Sequence, residues 1–166
     1  GSFEERKNLL ILLKAFFKIK SNKKNNQLKL VLAGSTNFFG QNKELKKIKM
    51  FISENNLNNE VEITNYLSNE QIQKLYSSAF LYIFPSNEEG FGIPIIEAAS
   101  RSKKIVLSNI KVFKEIAPKN SLLLDLNKEN QHVKLLHDYL VKEIYFDSQS
   151  IFERWSWDKS SLKLKN

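Results

Sequence analysis

Apolar and polar positions repeat with the period of a helix in some stretches of the chain and merge into short apolar runs in others. Leu9, Leu12, Leu13, Phe16 and Phe17 recur at the spacing that places side chains on one face of a helix. The same spacing predicts further helices around residues 45–52, 72–76, 93–100 and 133–144, and a last one over residues 150–164. Apolar runs predict strands at residues 28–33, 61–63, 80–84, 105–107 and 122–124.

Local signals mark where some of these elements begin and end. Asn8 stands just before the first helical stripe, where an asparagine side chain commonly caps free backbone amides. Ser68 and Gln71 have the three-residue spacing of a capping box. The nearly continuous apolar run at residues 80–84 predicts a strand covered on both faces, and Pro85 ends it.

The predicted strands and helices alternate through most of the chain. This order is typical of the α/β class, with a doubly wound parallel sheet and helices on both faces. The chain has 166 residues and shows no repeat, low-complexity block or change in composition, so we expect one domain over residues 1–166. A domain of this size buries enough surface to fold without cross-links.

Composition excludes several kinds of chemistry. The chain has no cysteine, which excludes disulfides, thiolate nucleophiles and cysteine-ligated zinc and fits a cytoplasmic protein. His132 and His137 are the only histidines; we expect both at the surface and predict no metal site. No apolar run approaches the roughly 20 residues of a membrane span, and none has the form of a signal peptide.

The chain is basic, with 26 Lys and Arg residues against 18 Asp and Glu residues and a net charge of +8. Such an excess fits nucleic acid, anionic lipid or phosphorylated small molecules as partners. It fits equally a lysine- and asparagine-rich composition whose lysines lie on solvated helix faces. Because the basic residues do not alternate with aromatic residues in a stacking pattern, a nucleic-acid binder is the weakest of these hypotheses.

The stretch Pro85–Ala99 carries the clearest chemical signal. It links a predicted buried strand to a predicted helix, which is where doubly wound sheets bind ligands. Gly90 and Gly92 allow a positive φ and a close approach of the backbone, and Pro94 suits the first turn of a helix. We expect the backbone amides of residues 91–93 to point at an anion.

Two carboxylates flank this loop, because seven residues lie between Glu89 and Glu97. Carboxylates accept hydrogen bonds from hydroxyl groups, as sugar recognition requires. The spacing therefore predicts one carboxylate at each end of a phosphate-bearing ligand. The alternative is a glycine-rich turn with two surface glutamates, which leaves the spacing and the strand–loop–helix context unexplained.

The stretch resembles the donor-site signature of the retaining glycosyltransferases of family 4 (glycosyl transferases group 1), in which two glutamates enclose seven residues around Gly-Phe-Gly and Pro. The likeness implies the C-terminal, Rossmann-like, donor-binding domain of a GT-B enzyme. It extends over nearly the whole chain, through residues 1–9, 30–34, 72–86, 115–116 and 122–124.

The resemblance also implies roles by position. Glu89 would bind hydroxyls of the donor sugar near the reacting centre, as the catalytic candidate, and Glu97 would hold the ribose of the nucleotide. Lys7 would neutralise the diphosphate, with Arg6 assisting. Backbone amides would contact the sugar and diphosphate at Gly90, Phe91, Gly92 and Ile93. No Asp-x-Asp motif offers a metal site, and no cofactor is expected beside the nucleoside-diphosphate sugar.

The chain departs from the family pattern at three places. Residues 102–104 read Ser-Lys-Lys where the family has Gly-x-Pro. Asn65 stands where glycine is common, and we expect it to adopt the left-handed conformation that asparagine tolerates. No strand precedes the first helix, and the amino-terminal acceptor domain is missing, so the chain resembles a fragment whose first strand is absent. We expect a rearranged sheet or a strand supplied by a neighbouring chain, because unpaired edges are unfavourable.

The resulting hypothesis is an enzyme part that binds a nucleoside-diphosphate sugar. The whole enzyme would transfer a hexose, with mannose slightly favoured, to a glycan or lipid-linked acceptor in lipopolysaccharide or cell-surface polysaccharide assembly, with retention. The isolated fragment is expected to be inactive. It would be cytoplasmic, with peripheral contact to the anionic inner face of the membrane as an option. A non-catalytic nucleotide- or phosphate-binding module is the alternative. Trp155 and Trp157 are predicted to anchor a C-terminal helix.

Overall fold

The computed structural model describes residues 2–21, 25–35, 43–101, 104–125 and 128–141, the last without the side chains of residues 129–132 and 141. The helices are α1 (Leu9–Lys20), α2 (Lys43–Glu54), α3 (Asn69–Ser78), α4 (Ile93–Ala99), α5 (Lys111–Ile116) and α6 (Glu129–Val141). The strands are β1 (Leu30–Leu32), β2 (Val61–Ile63), β3 (Leu81–Phe84), β4 (Lys104–Ser108) and β5 (Leu122–Leu124). A single 3-10 turn, Glu5–Lys7, precedes α1.

All described strand pairs are parallel, and a helix lies between consecutive strands, so the predicted α/β architecture is confirmed. Strand β1 pairs with β2, with Leu30 opposite Val61. Strand β4 lies between β3 and β5, with Leu81 opposite Lys104 and Val106 opposite Leu122. Among the described residues, the predicted strands and helices occur where the sequence places them, and α5 is an addition to the predictions. The helix predicted over residues 150–164 lies outside the described residues.

The parallel strands form two separate sheets, a pair β1-β2 and a triplet β3-β4-β5. The start of the chain contributes one isolated parallel bridge, from Ser2 to Ser35, three residues beyond β1. Within the described residues, β3 is hydrogen-bonded on one edge only, and each of its residues is half-buried. Side chains from both faces of β3 pack against apolar clusters, Leu81 and Ile83 on one face and Tyr82 and Phe84 on the other, so the expected cover on both faces is confirmed for residues 81–84. Phe80, just before β3, is 57% exposed.

Packing of side chains joins the two sheets. One apolar cluster lies between α1, α2, β1 and β2, and Ile83 of β3 packs against it. A second cluster lies around β4 and includes Ile95 of α4 and Phe113 of α5. A third connects Ile19 of α1 with β4, β5 and Tyr139 of α6. The helices therefore hold the strands in one α/β body although the strand ladder is divided.

Local conformations follow some of the sequence signals and depart from others. Ser68 and Gln71 form the predicted capping box at the start of α3, with N···O distances of 3.3 and 2.8 Å. Asn8 does precede α1, but its φ is 57° and its side chain makes no cap. Asn65 does not have a positive φ, so the left-handed expectation is wrong there. Predictions for Ser102, Lys103, Trp155, Trp157 and the side chain of His132 lie outside the described residues.

The loop between β3 and α4 is fixed at both ends. Ser86 is buried directly after β3, and its carbonyl oxygen accepts a hydrogen bond from the hydroxyl of Ser108 at the end of β4. At the other end, Gly92 is the N-cap residue just before α4, and Pro94 lies in the first turn of that helix, as predicted. The amide of Ile95 donates to the Gly92 carbonyl oxygen at 2.9 Å, which tightens that turn.

The two glycines of this loop differ. Gly92 has a φ of 92°, and a Cβ there would lie 2.9 Å from Ile116 Cδ1 and 3.0 Å from Ile95 Cδ1. Gly90 does not have a positive φ, and a Cβ there would meet nothing within 4 Å. The conformational freedom that glycine allows is therefore used at position 92 and not at position 90.

A comparison of Gly92→Ala with Gly90→Ala tests this difference. We expect Gly92→Ala to lower the free energy of unfolding by about 1–3 kcal/mol, because it combines an unfavourable φ with crowding. Gly90→Ala should stay within about 0.5 kcal/mol of the unsubstituted chain. Urea unfolding followed by circular dichroism measures both, and equal losses would contradict the assignment.

Candidate functional site

The start of the chain lies against the loop that follows β3. The amide of Asn87 donates to the carbonyl oxygen of Arg6 at 2.8 Å, and Asn8 Nδ2 donates to Asn87 Oδ1 at 3.0 Å. The left-handed φ of Asn8 turns the chain from the 3-10 turn into α1 at this point. Asn8 thus ties two segments together instead of capping a helix. These bonds bring Arg6 and Lys7 beside residues 87–89.

Glu89 lies between two cations from the start of the chain. Lys7 Nζ donates a hydrogen bond to Glu89 Oε1, and Arg6 Nη1 lies 3.3 Å from Glu89 Oε2. The Arg6 guanidinium also donates to the carbonyl oxygen of Glu88 at 3.2 Å. The side chains of Glu89 and Lys7 are only 11% and 15% exposed, whereas Arg6 is 39% exposed. The Lys7–Glu89 pair is therefore largely shielded from solvent, and Arg6 closes its outer side.

This arrangement sets the protonation state of Glu89. Burial alone would raise the pKa of its carboxyl group. Hydrogen bonds from Lys7 and the Ser86 side chain, together with the charges of Lys7 and Arg6, outweigh burial and hold the pKa below its ordinary value of 4.5. Glu89 is therefore a carboxylate at neutral pH, able to accept hydrogen bonds.

A second carboxylate shares Arg6. Arg6 Nε lies 2.7 Å from Glu4 Oε2, and the Ser2 hydroxyl donates to Glu4 Oε1. The hydrogen bonds from Ser2 and Arg6 lower the pKa of Glu4, and the hydrogen bond to Glu4 raises the pKa of Arg6. Arg6 is consequently held on one side by Glu4 and on the other by Glu89.

Glu97 lies one to two turns into α4 and has a different set of partners. Its Oε2 accepts a hydrogen bond of 2.9 Å from the Tyr76 hydroxyl of α3. The guanidinium of Arg101 donates to the backbone carbonyl oxygen of Glu97 at 3.3 Å and lies 5.9 Å above the Tyr76 ring. Tyr76 is a contact that the sequence reasoning missed, because its helical spacing identified it only as an inward-facing residue.

A row of aromatic rings connects the surroundings of the two glutamates. The ring centroids of Tyr76 and Tyr82 are 5.4 Å apart, and those of Tyr82 and Phe84 are 6.0 Å apart. Lys7 Nζ lies 5.3 Å from the Phe84 ring centroid at the other end of the row. Burial, with the charges of both glutamates, raises the pKa of Tyr82 to about 12 despite a hydrogen bond with Tyr76. The charges of both glutamates therefore act on the same phenol, that of Tyr82.

The structure therefore brings together some of the predicted site residues and separates others. Arg6, Lys7 and Glu89 form one cluster, and Glu97 lies at the opposite end of the aromatic row. The backbone amides of residues 90–93 are predicted to contact the ligand. Gly90, Phe91 and Ile93 are exposed, and Gly92 is half-buried. Within the described residues, no group of three or more His, Asp or Glu side chains could hold a metal ion.

The depressed pKa of Glu89 predicts a pH dependence of stability. A carboxyl group whose pKa is lower in the folded than in the unfolded chain stabilises the fold above its unfolded pKa, and this contribution is lost as the pH falls through the folded pKa. We therefore expect the free energy of unfolding to decrease as the pH falls below about 4.5, the ordinary value. In Glu89→Gln, which cannot titrate, this decrease should be smaller.

Chemical unfolding at a series of pH values measures this effect. Glu70→Gln, a change on the exposed first turn of α3, serves as a control and should keep the acid-dependent decrease of the unsubstituted chain. Identical pH profiles for Glu89→Gln and the unsubstituted chain would contradict the ion pair.

The family model described as "Glycosyl transferases group 1" matches residues 1–148. The O-antigen chain mannosyltransferase RfbU of Salmonella typhimurium is 34% identical over 73 residues, which are 44% of this chain and 21% of that protein. The O-antigen chain mannosyltransferase B of Escherichia coli is 28% identical over 127 residues, 76% of this chain and 32% of that protein. The chain thus spans about a third or less of the length of these two curated relatives.

Solved structures show the same fold. A UDP-forming trehalose-phosphate synthase from Burkholderia xenovorans superposes with a TM-score of 0.75 at 14% identity, over 86% of this chain and 36% of that one. Anabaena Alr3699/HepE, solved in complex with UDP and glucose, gives a TM-score of 0.67 at 19% identity, over 98% of this chain and 46% of that one. In the part of this chain that is described, none of the helices is both long and apolar enough to cross a bilayer.

The parallel α/β arrangement matches GT-B glycosyltransferases, and the family model covers most of the sequence, so the chain belongs to the glycosyl transferases group 1.

Proposed function

We propose that this chain is the donor-binding part of a hexosyltransferase and holds a nucleoside-diphosphate sugar at the carboxyl end of β3. One observation carries the proposal: Lys7 and Arg6 converge on the shielded carboxylate of Glu89, at the loop that follows β3. Cations and a carboxylate in one place suit a ligand that has a diphosphate next to sugar hydroxyls. The carboxyl ends of parallel strands are also where doubly wound sheets bind nucleotides.

The cations supply the electrostatics that transfer requires. When the bond between the sugar C1 and the diphosphate oxygen breaks, its electron pair goes to that oxygen, and negative charge develops on the leaving nucleoside diphosphate. Lys7 and Arg6, held beside the loop by hydrogen bonds before the ligand arrives, stabilise this charge by turning from their carboxylate partners to the diphosphate. The acceptor hydroxyl oxygen bonds to C1, and its proton passes to the diphosphate oxygen that leaves, with retention at C1.

The two glutamates bind the two sugars of the donor. Glu89 accepts hydrogen bonds from hydroxyls of the transferred hexose, and Glu97, at the other end of the aromatic row, accepts them from the ribose. Amides of residues 90–93 contact the sugar and diphosphate between them. This division agrees with the separate partners of the two carboxylates, cations for Glu89 and a tyrosine hydroxyl for Glu97.

The named relatives support a narrower identity. The two curated relatives above are O-antigen chain mannosyltransferases, so we favour mannose as the hexose and GDP-mannose as the donor. We propose assembly of lipopolysaccharide or another cell-surface polysaccharide in the cytoplasm, on a glycan or lipid-linked acceptor held outside this chain. The net charge of +8 favours peripheral contact with an anionic membrane face. Isolated, the chain should bind nucleotide without transferring sugar.

Calorimetric titration of the chain with GDP, UDP, ADP and GDP-mannose tests the proposal. We expect Lys7→Met to weaken binding of GDP by about tenfold or more, because a charge-assisted contact is lost. Glu97→Ala should weaken both GDP and GDP-mannose. Glu89→Gln should weaken GDP-mannose alone, and bind GDP at least as tightly as the unsubstituted chain, because Lys7 is released.

Lys49→Met, which removes an exposed lysine of α2, is the matched control and should bind like the unsubstituted chain. If Glu89→Gln weakens GDP and GDP-mannose equally, Glu89 does not recognise the sugar, and the non-catalytic nucleotide-binding module is favoured. If no nucleotide binds while DNA binds with a steep salt dependence, the donor-binding proposal is wrong.

A further inference from the structure

The Tyr76 hydroxyl lies near two acceptors of α4, the Glu97 carboxylate and, at a longer distance of 3.5 Å, the Pro94 carbonyl oxygen. The Tyr76 hydroxyl lies 2.9 Å from Glu97 Oε2. Its ring is buried between the Tyr82 ring and the Arg101 guanidinium, with centroid distances of 5.4 and 5.9 Å. A ring held on both sides leaves its hydroxyl little freedom to move away from Glu97.

The hydroxyl is protonated at neutral pH. Burial, the neighbouring Tyr82 and the Glu97 carboxylate all raise the pKa of Tyr76, so the phenol can donate its proton to Glu97 there. Within the described residues, Glu97 Oε1 makes no hydrogen bond to another side chain, whereas Oε2 is bonded to Tyr76. Among the described residues, one oxygen of the carboxylate is therefore bonded to a side chain and the other is not.

We propose that Tyr76 is a positioning residue that sets the rotation of the Glu97 carboxylate for recognition of the vicinal diol of the ribose. The inference rests on the proposed function, because it takes the ribose as the ligand of Glu97. A carboxylate that is free to rotate recognises a pair of hydroxyls less well than one held in a single orientation. The backbone of Glu97 is fixed independently, since Arg101 bonds to its carbonyl oxygen.

The readout is a ribose contrast, defined as the Kd of the chain for 2′,3′-dideoxy-GDP divided by its Kd for GDP. Tyr76→Phe keeps the ring and its packing and removes only the hydroxyl. We expect a ribose contrast of about tenfold in the unsubstituted chain, and a decrease by about threefold to tenfold in Tyr76→Phe. Binding of inorganic diphosphate, which has no ribose, should be unchanged in this variant.

Two further variants complete the experiment. Glu97→Ala should abolish the ribose contrast. Tyr139→Phe removes another tyrosine hydroxyl, which donates to the Asn120 carbonyl oxygen at 2.9 Å and contacts the β4 backbone at Ile105. Its loss should cost stability, measured by urea unfolding, and leave the ribose contrast unchanged, which separates a positioning effect from general destabilisation.

Each remaining outcome contradicts a different statement. If Glu97→Ala abolishes the ribose contrast and Tyr76→Phe retains it, the positioning role is wrong and the proposed function stands. If Tyr76→Phe weakens GDP, dideoxy-GDP and diphosphate equally, Tyr76 has a merely structural role and the inference is overturned. If Glu97→Ala keeps the full contrast, Glu97 does not bind ribose, and both the inference and that part of the proposed function fail.

Discussion

The ion pair between Lys7 and Glu89 is the interaction on which the site depends. It joins the start of the chain to the loop after β3, two segments whose paired residues are 82 positions apart in sequence. Shielding makes the pair more than a surface contact, because loss of Glu89 would leave the mostly buried charge of Lys7 without its carboxylate, and loss of Lys7 would leave Glu89 with Arg6 alone. Hydrogen bonds of Arg6, Asn8 and Asn87 lie beside this pair and join the same two segments.

The fold holds the groups around Glu97 on helices and a strand, and it anchors the loop that carries Glu89 to β4. Glu97 is on α4, its partner Tyr76 is on α3, and the rings of Tyr82 and Phe84 project from one side of β3. Ser108, at the end of β4, bonds to the backbone of the loop that carries Glu89. A site built on strands and helices in this way holds its carboxylates in place before a ligand binds. The loop needs unusual backbone only at Gly92.

Much of the fold could be predicted because its signals are local. The stripe in α1, the apolar strands and the Ser68–Gln71 capping box all depend on residues a few positions apart. Three features depend on distant residues and could not be read from the sequence. Asn8 fits an N-cap by position, yet its side chain bonds to Asn87. The run at 80–84 suits a central strand, yet β3 is paired on one edge among the described residues. The hydrogen bond from Tyr76 to Glu97 depends on the packing of α3 against α4, which the spacing of apolar residues within α3 does not show.

The four charged side chains Glu4, Arg6, Lys7 and Glu89 carry a net charge of zero when considered together. A diphosphate approaching from solvent therefore meets little long-range attraction from this cluster, and it gains affinity only by taking over cations that already have partners. On binding, phosphate oxygens would replace the carboxylates as contact partners of Arg6 and Lys7. Ionic strength should then act on the encounter through the lysines elsewhere on the surface, while discrimination between ligands is decided within the cluster itself.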